Sequence, residues 1–180
     1  QGELSILSNS SLLLDSSYRS NPPQQIAAII DSLSKGLVIP RLLSLEPLKG
    51  KFPIIKSGSK FVMDPSGYVR FNPYVEVLLA LNLVTLRDLF HEYRTYLERA
   101  YAALGYRQER FDNAVINSLD KIISAPKIET LIAIEQHEAV YRFLNKDLEA
   151  LPEIHKQLLR MGPKNTEKIQ SIAKELKTLL

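Results

Sequence analysis

The 180-residue sequence contains no cysteine, which removes zinc ribbons, iron–sulfur clusters, thiol nucleophiles and structural disulfides together. Its seven glycines are scattered, each where a turn or a helix cap wants one, so there is no glycine-rich phosphate loop. Long apolar runs are missing as well. Val75 to Leu83 is interrupted by Glu76 and Asn82, and it falls short of the ~18 to 20 residues that cross a bilayer. No basic-then-apolar leader and no lipidation signal stands at either end. The opening Gln1-Gly2 predicts that the chain is a fragment, with any anchor or signal in a natural N-terminal part that has been removed. What is present, 45% hydrophobic and 24% charged residues, is an ordinary globular composition. A chain of this size buries about 70% of its unfolded surface in one domain, so it needs no metal or cofactor to fold, and none is expected.

Residues 1–24, rich in Ser, Asn and Pro around an apolar knot at Leu12-Leu13-Leu14, predict an extended lead-in whose leucines dock on the domain. From Pro22-Pro23 the spacing of Ile26, Ile29, Ile30 and Leu33 ahead of Gly36 predicts a short amphipathic helix. Phe52 to Lys56 and Lys60 to Asp64, flanking Ser57-Gly58-Ser59, predict a hairpin near 52–64 with Pro53 marking an edge strand. Asn72 and Pro73 predict a capped helix start, and Thr85-Leu86-Arg87-Asp88 resembles a capping box that opens the clearest helix. On that helix Leu89, Phe90, Tyr93, Leu97 and Leu104 are expected in the core. Phe111, Val115, Leu119, Ile122 and Ile123 form a further stripe, ended by Pro126. Residues 128–143 read equally as strand or as irregular chain, and two helices joined at Gly162-Pro163 close the sequence. The fold class is therefore mainly α: residues 25–180 form a single multi-helix domain of about six helices with one small β-hairpin.

The catalytic inventory is thin. His91-Glu92 begins like His-Glu-x-x-His, but Thr95 stands where the second histidine belongs, and a solvated helix face is the ordinary reading. His137 and His155 have no neighbouring ligand or triad partner in sequence. Glu92 with Glu98, or Asp112 with Asp120, are the carboxylate pairs that folding would have to bring together.

Charge is uneven. Residues 35–70 hold seven basic and two acidic groups, giving +5, and residues 156–180 hold six and two, giving +4. Residues 71–155 are −4 and residues 1–34 are −2, which sums to the overall +3. If the two basic blocks meet, an anionic partner is expected there; the ordinary alternative is a mixed solvated surface. Within the second block, Leu159 to Ile169 reads like a helix-hairpin-helix grip on a nucleic-acid backbone, with Lys164 and Lys168 as counter-charge. Arg160 in place of the first glycine of that element, and Pro163 lacking an amide, count against it. Tyr68, Arg70 and Tyr74, with Arg142, Arg160, Lys164 and Lys168, are the candidate interaction surface, since exposed Tyr and Arg dominate interface hot spots. The bland alternative is that the rings close the core under the hairpin while Arg70 satisfies nearby carbonyls.

From Gly36 onward the chain resembles a bacterial family of unknown function. The blocks that carry the likeness are Asp31-Ser32-Leu33 with Lys35-Gly36, Pro47-Leu48-Lys49-Gly50 before Phe52, Asp64-Pro65 leading to Tyr68, Arg70, Pro73 and Tyr74, then Leu104-Gly105-Tyr106, Tyr141-Arg142-Phe143, Leu148-Glu149, and Leu159 to Pro163 with Asn165. Members of that family look like single-pass inner-membrane proteins with a soluble domain on the far side. The resemblance implies an anchor upstream of Gln1 and a periplasmic domain, and it implies no catalytic residue, ligand or activity. The expected function is non-catalytic binding of another protein or an envelope component, with membrane contact only through the anchor. A nucleic-acid-binding module using residues 159–169 is the alternative, and an uncharacterised hydrolase stands third.

Overall fold

Asn21 accepts from the amide of Gln24 and Pro22 occupies the first turn, so α1 (Pro22–Ser34) starts on a side-chain cap. It ends at Gly36, whose φ of +79° provides the left-handed cap. A Cβ there would lie 2.8 Å from Pro152, and the Gly36 carbonyl accepts from Ile154 N. The end of α1 is thereby seated on residues 152–154. This computed structural model describes residues 21–40, 48, 50–58, 60–107, 110–138 and 140–180. The predicted lead-in through residue 20, with Leu12–Leu14, lies outside the described residues.

The chain continues as β1 (Ile54–Ser57), β2 (Lys60–Met63), a 3-10 helix (Pro65–Phe71), α2 (Asn72–Leu79), α3 (Leu83–Ala102) and α4 (Phe111–Ile123). It closes with β3 (Ala133–His137), β4 (Val140–Phe143), α5 (Lys146–Glu149), α6 (Glu153–Met161) and α7 (Pro163–Leu179). The domain is mainly helical, as expected, and the described residues form seven α-helices and one small antiparallel sheet of order β1-β2-β3-β4. The predicted hairpin is β1–β2, in register Ile54↔Met63 to Ser57↔Lys60, with β1 at the edge as Pro53 requires. The undecided 128–143 stretch is a second hairpin, and it joins the first through Phe61↔Ile134 and Val62↔Ala133.

Two predicted caps are corrected. Helix α3 opens before Thr85, because Asn82 accepts from Thr85 N at 3.0 Å and adds Leu83, Val84 and Thr85 to the helix. Asn72 does not cap α2; its Oδ1 accepts from Asn165 Nδ2 at 3.1 Å, and the preceding 3-10 turn runs straight into the helix.

Among the described residues three apolar clusters make the core. Ala27, Leu97, Tyr101, Phe111, Val115 and Ala173 join α1, the second half of α3, α4 and α7. Phe71, Val75, Ile154, Leu158, Met161 and Ile169 join the 3-10 segment and α2 to α6 and α7. Met63, Ile132, Ile134, Phe143 and Leu159 seat the sheet. Successive residues Leu158 and Leu159 of α6 thus face two different clusters, which makes this nine-residue helix the centre of the molecule.

Candidate functional site

The Gly162-Pro163 turn is a packed joint. Gly162 is buried at φ +84°, and a Cβ on it would sit 2.4 Å from Tyr68 Cδ2. The Tyr68 ring therefore covers the face of the glycine that a phosphate grip would have to expose. Asn165 Nδ2 donates to Tyr68 O, Asn72 Oδ1 and Met161 O at 3.0–3.2 Å. Thr166 Oγ1 donates to Leu158 O and Gly162 O. Burial, with the Asp64 carboxylate adding, pushes the Tyr68 phenol above its ordinary pKa.

The rest of the predicted interaction surface divides between two places. Arg70 donates to the carbonyls of Gly50 and Lys51, both at 3.1 Å, tying the segment before the hairpin to the 3-10 helix. Tyr74 is half-buried on α2, and Lys168 of α7 reaches α2 through Glu76 at 3.0 Å. Lys164 is exposed beside the joint. Arg142 and Arg160 belong to the sheet side: Arg142 stands opposite Glu135 across β3–β4, while Arg160 lies 5.2 Å from the centre of the Phe143 ring. The two basic blocks do meet where the 3-10 helix packs on the α6–α7 turn, but much of their charge is matched locally. Lys156 takes Glu149 and Glu153, Lys168 takes Glu76, and Lys177 takes Asp120.

Three of the four carboxylates in the predicted pairs have structural partners. Glu98 and Asp112 converge on Arg94, a bridge between α3 and α4, and these acceptors raise the guanidinium pKa further. Asp120 is held by Lys177. The three histidines lie on three elements, α3, β3 and α6. His155 is buried, with Nε2 2.7 Å from the Lys121 carbonyl, to which it donates. Among the described residues no group of three or more His, Asp or Glu gathers.

The largest departure from expectation is on α2 and α3. Leu97 is buried and Phe90 and Leu104 pack against the helical cluster, but Leu89 and Tyr93, both assigned to the core by periodicity, are 46% and 48% exposed. They belong to a wider apolar surface. Val77 is 66% exposed, and Leu78, Leu79, Leu81, Val84, Leu86 and Tyr96 are all exposed with it. Residues 76 to 82 are exposed without interruption. Residues 76 to 79 make one full turn of α2 and 80 to 82 form the break after it, so the end of α2 projects from the body instead of lining a groove. Helices α2 and α3 meet there at a bend of 66°, and no single helix of the described residues is long and apolar enough to cross a membrane. A local signal did exist in the sequence: from Val77 to Leu86 no residue carries a charge, and seven of the ten are Val or Leu.

No curated protein and no solved structure matches the chain. One family model does, over residues 23–177, and it starts within α1 and ends within α7, so it spans the domain from first helix to last. The chain belongs to the family described as protein of unknown function (DUF3014).

Proposed function

We propose that this domain is a non-catalytic binding module whose binding surface is the exposed face of α2 and the first half of α3. One observation carries the reading: nine side chains of the kind that fill cores, Val77, Leu78, Leu79, Leu81, Val84, Leu86, Leu89, Tyr93 and Tyr96, stand exposed along α2 and the first half of α3. Monomeric proteins rarely leave large contiguous apolar patches uncovered, and those that occur mark interaction sites. Several charged groups are already engaged between elements, Glu76 with Lys168, Asp112 with Arg94 and Asp120 with Lys177, which leaves the apolar surface as the stronger candidate. The wider setting belongs to the proposal as well. On the family resemblance we place the module on the periplasmic side of a bacterial inner membrane, held by a segment outside this sequence and binding a protein or another envelope component.

Photo-crosslinking in growing cells tests this. A photoreactive residue is introduced at Leu79 or Leu89, with Lys174 on the exposed side of α7 as the control position. Adducts, whether to protein or to lipid, are expected at the first two positions and absent at the third. Equal yields at all three, or none anywhere, would refute the reading.

A further inference from the structure

We infer that the corner between α2 and α3 enters the surface of a lipid bilayer. The inference rests on the binding reading above and commits it to one occupant.

Four features of the corner favour lipid over a protein partner. Its composition is aliphatic: Val77, Leu78, Leu79, Leu81, Val84 and Leu86, with no charge between Glu76 and Arg87. Protein hot spots are instead enriched in Trp, Tyr and Arg and poor in Leu and Val. Its shape is a projection, exposed on every side from residue 76 to 82, whereas a cleft is what receives a partner's side chains. Its backbone pairs four of the seven amides from Ala80 to Leu86 internally across the helix break. Ala80 N donates to Glu76 O, Leu81 N to Leu78 O, Thr85 N to Asn82 Oδ1 and Leu86 N to Asn82 O. Entry into an apolar medium demands that pairing, because no water is there to replace it.

The fourth feature is depth. From Leu83 to Arg87, α3 climbs about 6 Å before the first charge, and from Leu79 back to Glu76 α2 climbs about 5 Å. An interfacial helix buries its apolar face by about 5–10 Å. The exposed stripe then recedes through Leu86 and Leu89 to Tyr93 and Tyr96, the aliphatic-to-tyrosine order in which a bilayer grades from hydrocarbon to headgroups. The charges at the rim are already matched, Glu76 by Lys168 and Arg87 by Asp88. Binding is therefore driven by apolar burial, with little demand for anionic lipid. This is a contact made by the folded domain itself, beyond any anchor upstream of it.

Because the chain has no cysteine, a single introduced thiol labels one position. The full 180-residue chain carrying Leu79→Cys, Val84→Cys or Lys174→Cys, each with an environment-sensitive fluorophore, is mixed with vesicles of pure phosphatidylcholine and with vesicles containing phosphatidylglycerol. Blue-shifted emission is expected at the first two positions and not at the third, on both vesicle types and with little salt dependence. The unlabelled double variant Leu79→Glu, Val84→Glu, whose fold is checked by circular dichroism, should partition about tenfold less or weaker still. No binding to either vesicle overturns the lipid inference and leaves the binding reading to the crosslinking yields. Binding only to anionic vesicles, lost in salt and indifferent to the double variant, overturns it in favour of the basic blocks. A dimer in light scattering without lipid, made monomeric by the double variant, overturns it by assigning the corner to a second copy of the chain.

Discussion

Replacing Gly162 with alanine tests the joint between α6 and α7 with one methyl group. Gly162 holds φ +84° and ψ +162°, a region essentially restricted to glycine, where another residue costs about 1–3 kcal/mol. The new methyl would also lie 2.4 Å from Cδ2 and 2.5 Å from Cγ of Tyr68, far inside the ~3.5–4.0 Å optimum between carbon atoms. The ring cannot simply swing away. It packs on Phe52 with centroids 6.3 Å apart, and its own carbonyl is held by Asn165. Overpacking of this kind costs about 1–3 kcal/mol more. The expected loss is therefore about 2–6 kcal/mol, a large part of the ~5–15 kcal/mol that holds a domain together. It should be read as a lower urea midpoint at unchanged slope. Gly105→Ala is the matched control: its φ is +96° but nothing lies within 4 Å of a Cβ, so it carries only backbone strain, about 1–2 kcal/mol. Removing the ring as well separates the two terms, because in Gly162→Ala, Tyr68→Ala the clash no longer exists and the double loss falls below the sum of the singles. A Gly162→Ala loss under ~1 kcal/mol, or strict additivity in the double variant, would refute the steric account.

Gln170 Nε2 donates to the carbonyls of Ile122, Ile123 and Ala125 at 2.8–3.2 Å, closing the end of α4 from α7. Gln170→Glu sets an acceptor against three acceptors, so a loss of about 3 kcal/mol or more is expected in denaturation at neutral pH, and a wild-type midpoint would sink the idea. Alkali should unfold the protein early. Burial raises the phenols of Tyr68 and Tyr101 above 10.0, with Asp64 and Asp31 adding, and Lys35 rises above 10.5 because Asp31 and Tyr106 outweigh the opposing effect of its burial. All three folded values exceed the unfolded ones, so their stabilisation is complete below about pH 10 and is lost as pH climbs through the folded values; stability that holds or rises above pH 10 contradicts this. Leu97→Ala should cost about 2–5 kcal/mol and Leu89→Ala under ~1 kcal/mol, because only the first is buried; equal shifts in thermal midpoint would show that the first half of α3 is covered in solution.

The helices were legible because their signals are local: Pro22 and Gly36 bracket α1, and Phe111 to Ile123 carries its stripe from the first residue to the last. The errors fell where two local signals competed or where a distant group intervened. Both Asn82 and Thr85 are able to cap, and the earlier one wins because it adds three residues to the helix before Leu86. Asn72 was lost as a cap to Asn165, far away in sequence. The second hairpin was undecidable for the same reason. Ile134 and Ala133 become a strand by pairing with Phe61 and Val62, and nothing within 128–143 encodes that partner. The contacts of Arg70 with carbonyls and of Arg160 with a ring were likewise out of reach of the sequence, because only the fold brings those groups near.

The exposed corner was illegible for a simpler reason: periodicity reports which face of a helix is apolar, and length decides how much of it is covered. Helix α3 has 20 residues, about 30 Å, while α1 and α4 have 13 each, about 20 Å. Lys35, just after α1, meets Tyr106 just beyond the end of α3, and Ala27 of α1 shares a cluster with Leu97. The covering helix is therefore aligned with the C-terminal part of α3. About 10 Å, or six to seven residues, must then overhang at the N-terminal end, and those are the residues from Leu83 to Leu89. The apolar stripe runs on through the overhang, which for a helix evolved only to pack in this domain would be a solubility cost without return. Apolar character on a part of a helix that its own domain is too short to cover is therefore the physical ground on which we propose an external partner for that part.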